Sequence, residues 1–420
     1  MLNLSKLVYG IEKKVMTKNG LHQYINLDNA ASTPPFISVM KRIIEESAWY
    51  SSIHRGTGYK SQYMTEQYEH ARQVIANFVN ADLDEDVVIF TKNSTDSLNK
   101  LSYYLEYLPG ELVIYTRLEH HSNELPWQKY KNHCVGVKDG VLDIGELETV
   151  LKANRGKVKL VAITGASNVT GYIPPIYTIA ELAHEYGAKI AVDGAQLIPH
   201  KPFNKSNSND PKNIDFLIFS GHKIYAPFGA GVLIGPRQVF TQGPPSQPGG
   251  GTVKGLTPET IIWMDPPDKE EAGSPNVLGA LAIAEACETI NSIGWKELVD
   301  HETSLINYAY EKISQIPGII LYSKSRTNQV GVISFNIQDI PHNKIAQALA
   351  EYGIGVRSGC FCARRLVLEL MKVDIKTLGG LDKENLPGMV RISFGCYNKK
   401  SDIDLLCKAL LEIINSTIKH

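Results

Sequence analysis

At 420 residues, 43% hydrophobic and 21% charged, the chain has enough apolar mass for two domains, or one large domain with an appendage, and an ordinary globular texture. Its 43 basic and 44 acidic residues leave a formal charge of −1, too weak a field to draw in nucleic acid or an anionic membrane. Six scattered cysteines, with no Cys-x-x-Cys pair and no zinc-site spacing, argue against a disulfide framework or a bound metal. The N-terminal MLNLSKLVYGIEKKVMTKNG resembles neither a signal peptide nor a transit peptide. No apolar run approaches the ~20 residues that span a bilayer. The expectation is a cytoplasmic protein with reduced thiols.

In chain order, 87–91 (VVIFT) reads as a strand and 95–105 as a helix. Residues 112–116 (LVIYT) form a second strand and 158–164 (VKLVAIT) a third, followed by a helix over 176–187. Residues 189–193 (KIAVD) and 216–220 (FLIFS) are a fourth and a fifth strand. These runs are apolar on both faces, which suits strands covered by helices on both sides, and they alternate with helical patterns. The pattern predicts an α/β fold built on a mostly parallel sheet. Residues 205–213 (KSNSNDPKN) and 243–255 read as loops. A long helix starts at 277, and the texture then changes: strand 330–337, helix 344–353, strand 354–358 and a terminal helix. We place a boundary near 290, giving a large domain over 26–290 and a small α+β domain over 291–420. Residues 1–25 form a segment packing with the small domain.

Ligands of open α/β sheets gather at the carboxyl ends of the strands. Ser94 and Thr95 follow the first strand; hydroxyls at a helix N-terminus suit a phosphate, and are equally ordinary caps. His120 and His121 follow the second, where an imidazole can stack on a ligand or move a proton. Asn168 follows the third, in a turn that Asn also favours. Asp193 ends the fourth; a carboxylate there needs a cation, such as a protonated pyridine nitrogen, a salt-bridge partner or the amides it would cap. Lys223 follows the fifth, where burial lowers an ammonium pKa as a Schiff-base lysine requires. Packing alone does not explain a hydroxyl pair, His, Asn, Asp and Lys at five strand ends of one sheet.

With these residues in place, the sequence resembles fold-type I pyridoxal-phosphate (PLP) enzymes of the aminotransferase class V family, and more narrowly SufS-type cysteine desulfurases. The resemblance spans about residues 26–398, through LDNAAST (27–33), HRG (54–56), NSTDSLN (93–99), LEHHSNELPWQ (118–128), SNVTG (167–171), VDGAQ (192–196), SGHK (220–223), GGG (249–251), EAGSPN (271–276), VRSGCFCA (356–363) and VRISFGCYN (390–398). It implies a seven-stranded, mostly parallel sheet in the large domain. Lys223 would anchor PLP and move the substrate α-proton, Asp193 would protonate the pyridine nitrogen, Gln196 would bond the ring hydroxyl, and His120 would stack on the ring. Asn168 would sit beside the ring oxygen and the substrate. Ser94, Thr95, Ser220 and His222 would hold the phosphate, with Ser274 from a neighbouring subunit, which implies a homodimer. Arg391 and Arg357 would bind the substrate carboxylate, with Asn29 and Arg55 nearby.

Cys362 matches the family's catalytic cysteine, beside Arg357, Arg364 and Arg365. It would take sulfur from L-cysteine as a persulfide, leaving L-alanine, and pass it to an acceptor protein, as in iron–sulfur cluster assembly. The packing alternative is that Cys360 and Cys362 merely fill space. Cys360 and Phe361 stand where many SufS-type enzymes carry His, and the GCFC run also resembles molybdenum-cofactor sulfurases. The segment 372–387 is longer than usual. Selenocysteine lyase, C–S lyase, aminotransferase and epimerase activities remain alternatives on the same scaffold.

Overall fold

The computed structural model describes residues 3–323, 328–374, 376, 379 and 386–417. Seven strands form the central sheet: β1 (Asp86–Thr91), β2 (Leu112–Thr116), β3 (Lys131–Val135), β4 (Val158–Thr164), β5 (Lys189–Asp193), β6 (Phe216–Ser220) and β7 (Gly231–Pro236). Their order is β1-β7-β6-β5-β4-β2-β3. All run parallel except β7, which is antiparallel to both β6 and β1.

The sequence reading found five of these strands within a residue. It missed β3, a half-exposed edge strand of polar texture (KNHCV). It also missed β7, GVLIGP, whose glycines and terminal proline look like loop punctuation. β7 nevertheless lies between two strands, and its proline falls at the strand's last residue, facing Asp86.

Helices pack on the sheet, and strands such as β1, β2 and β6 are buried along their whole length. Here α1 (Ile37–Ser47) and α2 (Tyr59–Phe78) pack on α5 (Val277–Ile293), while α3 (Ser94–Tyr104) and α4 (Ile176–Glu185) connect strands. Gly294, at φ +88°, ends α5 and starts α6 (Trp295–Ile313) with an 84° change of axis, a backbone conformation that favours glycine. No single helix among the described residues is long and apolar enough to cross a membrane.

Beyond the bend, a second core gathers around an antiparallel sheet of order β8-β9-β11-β10. Its strands are β8 (Ile319–Leu321), β9 (Val332–Ile337), β10 (Arg357–Gly359) and β11 (Met389–Ser393). Helices α6, α7 (His342–Glu351) and α9 (Lys400–Thr417) contribute to this core, with α8 (Arg364–Met371) following the Cys362 turn. The single strand expected over 354–358 is divided: Ile354–Gly355 pairs with Ile25–Asn26, whereas Arg357–Gly359 pairs with β11. Leu27, just after that first pairing, belongs to this second core, so the chain's start laces the two units together. The long 372–387 segment lies mostly outside the described residues.

Two loop expectations change. Lys205 is buried in an ion pair with Asp86 at 2.8 Å, at the start of β1, so the polar run is a surface loop only beyond it. Residues Val253–Leu256 leave the expected loop to form an antiparallel pair with Ile261–Trp263.

Candidate active site

The first strand end carries a hydroxyl cradle. Asn93 caps α3 by accepting the Asp96 N–H at 3.0 Å, so Ser94 and Thr95 are released from that task. The Ser94 and Ser220 hydroxyls meet at 2.7 Å, and the Ser94 N–H donates to Ser220 Oγ at 2.8 Å. Thr95 Oγ1 meets Ser122 Oγ at 2.7 Å. A side chain on Gly231 would stand 2.6 Å from the Asn93 Cα, so β7 passes beneath this loop only as glycine. Hydroxyls and amides at the start of an eleven-residue helix suit a phosphate.

Asp193 ends β5 at 5% exposure and accepts one backbone N–H, from Ala195 at 3.1 Å. Burial raises its pKa and the nearby Lys223 opposes the rise. Lys223 opens onto the cavity from a one-turn helix after β6. Desolvation pushes its ammonium down to about 8, against the pull of Asp193. His120 Nδ1 accepts the Ser122 N–H at 3.1 Å and lies 3.0 Å from Ser122 Oγ, which leaves the ring proton on Nε2. Burial, then Lys223, holds this imidazole down to about 3, so it is neutral. Gln196 is anchored by its Nε2, which donates to the Ala30 carbonyl at 2.7 Å.

Beneath this group lies Glu119, which the sequence reading passed over. One carboxylate oxygen accepts from Thr116 Oγ1 (2.5 Å) and the Thr164 N–H (3.0 Å), the other from Asn123 Nδ2 (2.6 Å). It thus ties the ends of β2 and β4 to the His120 turn. Burial pushes it up to about 8. Adjacency to His120 was its only sequence signal.

The opposite wall comes from the second core. Arg391 on β11 is 3% exposed; its Nη1 donates to the Asn168 carbonyl at 3.1 Å, and its guanidinium lies 4.9 Å from the Phe361 ring centroid. Arg357 begins β10 and pairs directly opposite Arg391. Residues 360–363 form a tight turn closed by the Ala363 N–H donating to the Cys360 carbonyl at 2.8 Å. Its central residues, Phe361 and Cys362, stand at φ 52° and 54°, left-handed values costly for side chains of this kind. Two bonds to the first core hold the turn: Asn168 Nδ2 donates to the Phe361 carbonyl at 2.7 Å, and the His121 N–H to the Cys362 carbonyl at 2.6 Å. His121 Nε2 also accepts the first N–H of α8, from Arg364, at 3.3 Å. Cys362 is exposed and its neighbour Cys360 half-buried. Of the expected cationic neighbours, Arg365 is committed to Glu124 (2.7 Å) and Arg357 to Asp28 (2.7 Å).

A cavity of about 410 Å³ joins these walls. It is lined by Ser94, Thr95, His120, Asn168, Asp193, Gln196, Ser220, His222, Lys223, Arg357, Cys362 and Arg391, together with Lys92, Asn93 and Ser122, which the sequence had not singled out. A larger cleft of about 700 Å³, between the N-terminal hairpin and α9, contains none of the strand-end residues. Three expected residues lie outside the cavity of this chain. Asn29 is buried outside it, its amide bonded to Ser393, Asn398 and Tyr397. Arg55 and Ser274 are exposed elsewhere, on one continuous face: the Arg55 guanidinium packs against Gly251, and Gly273 donates to the Gly250 carbonyl at 2.7 Å.

A buried acid and a pKa-depressed lysine at neighbouring strand ends, facing a hydroxyl cradle across one cavity, define an α/β enzyme that works on a group held at the sheet's carboxyl edge. Known proteins narrow that class: the chain belongs to the aminotransferase class-V family, which matches residues 25–406. It is 34% identical over 411 residues to a probable cysteine desulfurase of Staphylococcus epidermidis, covering 95% of this chain and 93% of that one. A probable cysteine desulfurase 1 of Mycobacterium leprae is 34% identical over 402 residues, 92% of this chain, which spans 61% of that longer protein. Among solved structures, the apo cysteine desulfurase of Thermococcus onnurineus superposes with a TM-score of 0.83 at 29% identity, covering 94% of this chain and 95% of that one. The Escherichia coli cysteine desulfurase CsdA, as the S-sulfonic acid, gives 0.79 at 28% identity, covering 93% and 95%.

Proposed function

We propose that the protein is a cysteine desulfurase that holds pyridoxal 5′-phosphate on Lys223 and moves the sulfur of L-cysteine onto Cys362. One observation carries this reading: a single cavity contains both the pKa-depressed Lys223 and the exposed Cys362. The donor set fits the cofactor. The cradle of Ser94, Thr95, Ser220 and His222 would take the phosphate, and the buried Asp193 has the charge to hold a proton on the ring nitrogen. Gln196 would face the ring hydroxyl. The neutral His120, fixed through Nδ1, offers a flat face for stacking and no competing charge. When bound, the cofactor supplies an electron sink for bonds at the substrate α- and β-carbons.

The chain's own groups do the rest. Lys223, with its pKa near 8, keeps a usable fraction of neutral amine near pH 7, both to attach the cofactor and to move the proton on the substrate α-carbon. Arg391 and Arg357 grip the substrate carboxylate. Asn168 joins the two halves: its side chain steadies the Cys362 turn and its carbonyl orients Arg391. Cys362 then accepts the sulfur. The substrate Cβ–S bond breaks, an S–S bond forms on Cys362, and the thiol proton balances the alanine that leaves. L-cysteine and Cys362–SH thus become L-alanine and Cys362–S–SH, with no outside oxidant.

The exposed Cys362 suits transfer to an acceptor protein, as iron–sulfur cluster assembly would need, and a reduced cytoplasm suits its free thiol. The reading includes a homodimer. The Val253–Leu256 and Ile261–Trp263 pair, which follows Gly251 in the chain, leaves Leu256 70% and Ile262 55% exposed, apolar surface that a second copy would cover. The test is a panel of amino acids with a reductant present. L-cysteine should yield alanine and sulfide in equal amounts, and Cys362→Ala should abolish sulfide release. Full-rate release by that variant, or turnover of other amino acids alone, would refute the reading.

A further inference from the structure

The two guanidiniums share one carboxylate that none of the expected roles includes. Asp28 Oδ2 lies 2.7 Å from Arg357 Nη2, and Asp28 Oδ1 lies 3.0 Å from Arg391 Nη2. Asp28 does not line the cavity; it stands behind the arginines, on the segment that bridges to Ser393, the last residue of β11. Its own backbone N–H donates to Asn26 Oδ1 at 3.0 Å, which fixes the carboxylate's origin.

The two arginines need this partner differently. Arg391 is almost wholly enclosed, and its Nε has no hydrogen-bond partner among the described residues. A buried cation left without a counter-charge is costly. The Arg357 side chain is half exposed, and the Asp28 contact is what restrains its long arm. Two guanidiniums and one carboxylate leave the cluster a single positive charge, the complement of one substrate carboxylate.

We infer that Asp28 is the resident counter-ion of the carboxylate site: it positions Arg391 and Arg357 from behind and sets their joint charge to match a single carboxylate. Asp28 is therefore a positioning residue that determines specificity without touching substrate. Removing its charge leaves a doubly positive site that favours a dianion. This inference rests on the arginines binding the substrate carboxylate, so the two claims are tested separately.

The holoenzyme is titrated with malonate, a dicarboxylate, and with acetate, a monocarboxylate, following the thermal unfolding midpoint. In Asp28→Asn, the preference for malonate over acetate should rise at least about tenfold over wild type, because an extra unit of charge at contact distance acts in a partly desolvated site. The KM for L-cysteine should become more sensitive to malonate than kcat does. A preference within twofold of wild type overturns the inference. If Asp28→Asn fails to fold, Asp28→Asn/Arg357→Gln restores the single charge. That double variant folding with the wild-type preference supports the inference, and its failure to fold overturns it. Arg391→Lys probes the underlying reading: a KM for L-cysteine unchanged in that variant removes the carboxylate site itself, whatever Asp28 does.

Discussion

Asn168→Ala should loosen the Cys362 turn without unfolding the protein. Phe361 and Cys362 are held at left-handed φ values of 52° and 54°. Each costs about 1–2 kcal/mol, so the turn stores roughly 2–4 kcal/mol. Against that strain stand the bonds from Asn168 Nδ2 and the His121 N–H, the turn's own Ala363 bond and the Arg391 contact with the Phe361 ring. Truncating Asn168 deletes a buried 2.7 Å bond and leaves the Phe361 carbonyl unpaired, a loss of about 1–3 kcal/mol. A loss in the middle of that range lowers the occupancy of the closed turn by about tenfold or more relative to open forms. Hydrogen–deuterium exchange read by mass spectrometry reports this directly, because the Ala363 and His121 amides are protected only while the turn is closed. Both amides should exchange about tenfold faster in Asn168→Ala, with the kcat for sulfide release falling in step. Unchanged exchange at both amides would refute the idea that Asn168 clamps the turn.

Lys223 predicts a pH dependence in the cofactor-free protein. The unfolded chain keeps this proton up to about 10.5, whereas the native state releases it at about 8. Between those values the unfolded state binds more protons, so native stability rises with pH across the window, by up to roughly 3 kcal/mol. Lys223→Met should flatten that rise, seen as urea midpoints at about pH 7.5 and about pH 10; equal pH responses of the two proteins count against the depressed pKa. Gly231→Ala should displace the Asn93 loop, since the new Cβ would lie 2.6 Å from the Asn93 Cα. We expect a loss of about 2 kcal/mol in stability and about tenfold weaker pyridoxal-phosphate retention, by thermal melting and cofactor titration. Retention at the wild-type level would detach that loop from the cradle.

The α/β class and the gathering of several strand-end residues around one cavity were legible in the sequence; parts of both were not. Strand ends announce themselves when a mostly apolar run gives way to polar residues; Asp193 ends such a run, and Asn168 and Lys223 follow within four residues of one. β7 was hidden because GVLIGP carries loop-forming residues that serve here as a close backbone approach and a strand end. Lys205 was misread because a polar run gives no sign that one of its lysines is buried against Asp86. Glu119 and Asp28 escaped for a shared reason: each acts through long-range partners, Thr164 in one case and Arg357 and Arg391 in the other, which local pattern cannot supply. Asn168 was expected beside a ligand; its second task, holding a turn nearly two hundred residues away in sequence, emerges only from the contact.

The central claim is that sulfur passes through Cys362. The most direct measurement mixes the holoenzyme with L-cysteine in the absence of reductant, quenches, and weighs the peptide carrying Cys360 and Cys362. The account predicts one added sulfur atom on Cys362, one alanine formed for each, and neither signal in Cys362→Ala. Alanine formed at the wild-type rate with no sulfur on that peptide would contradict it.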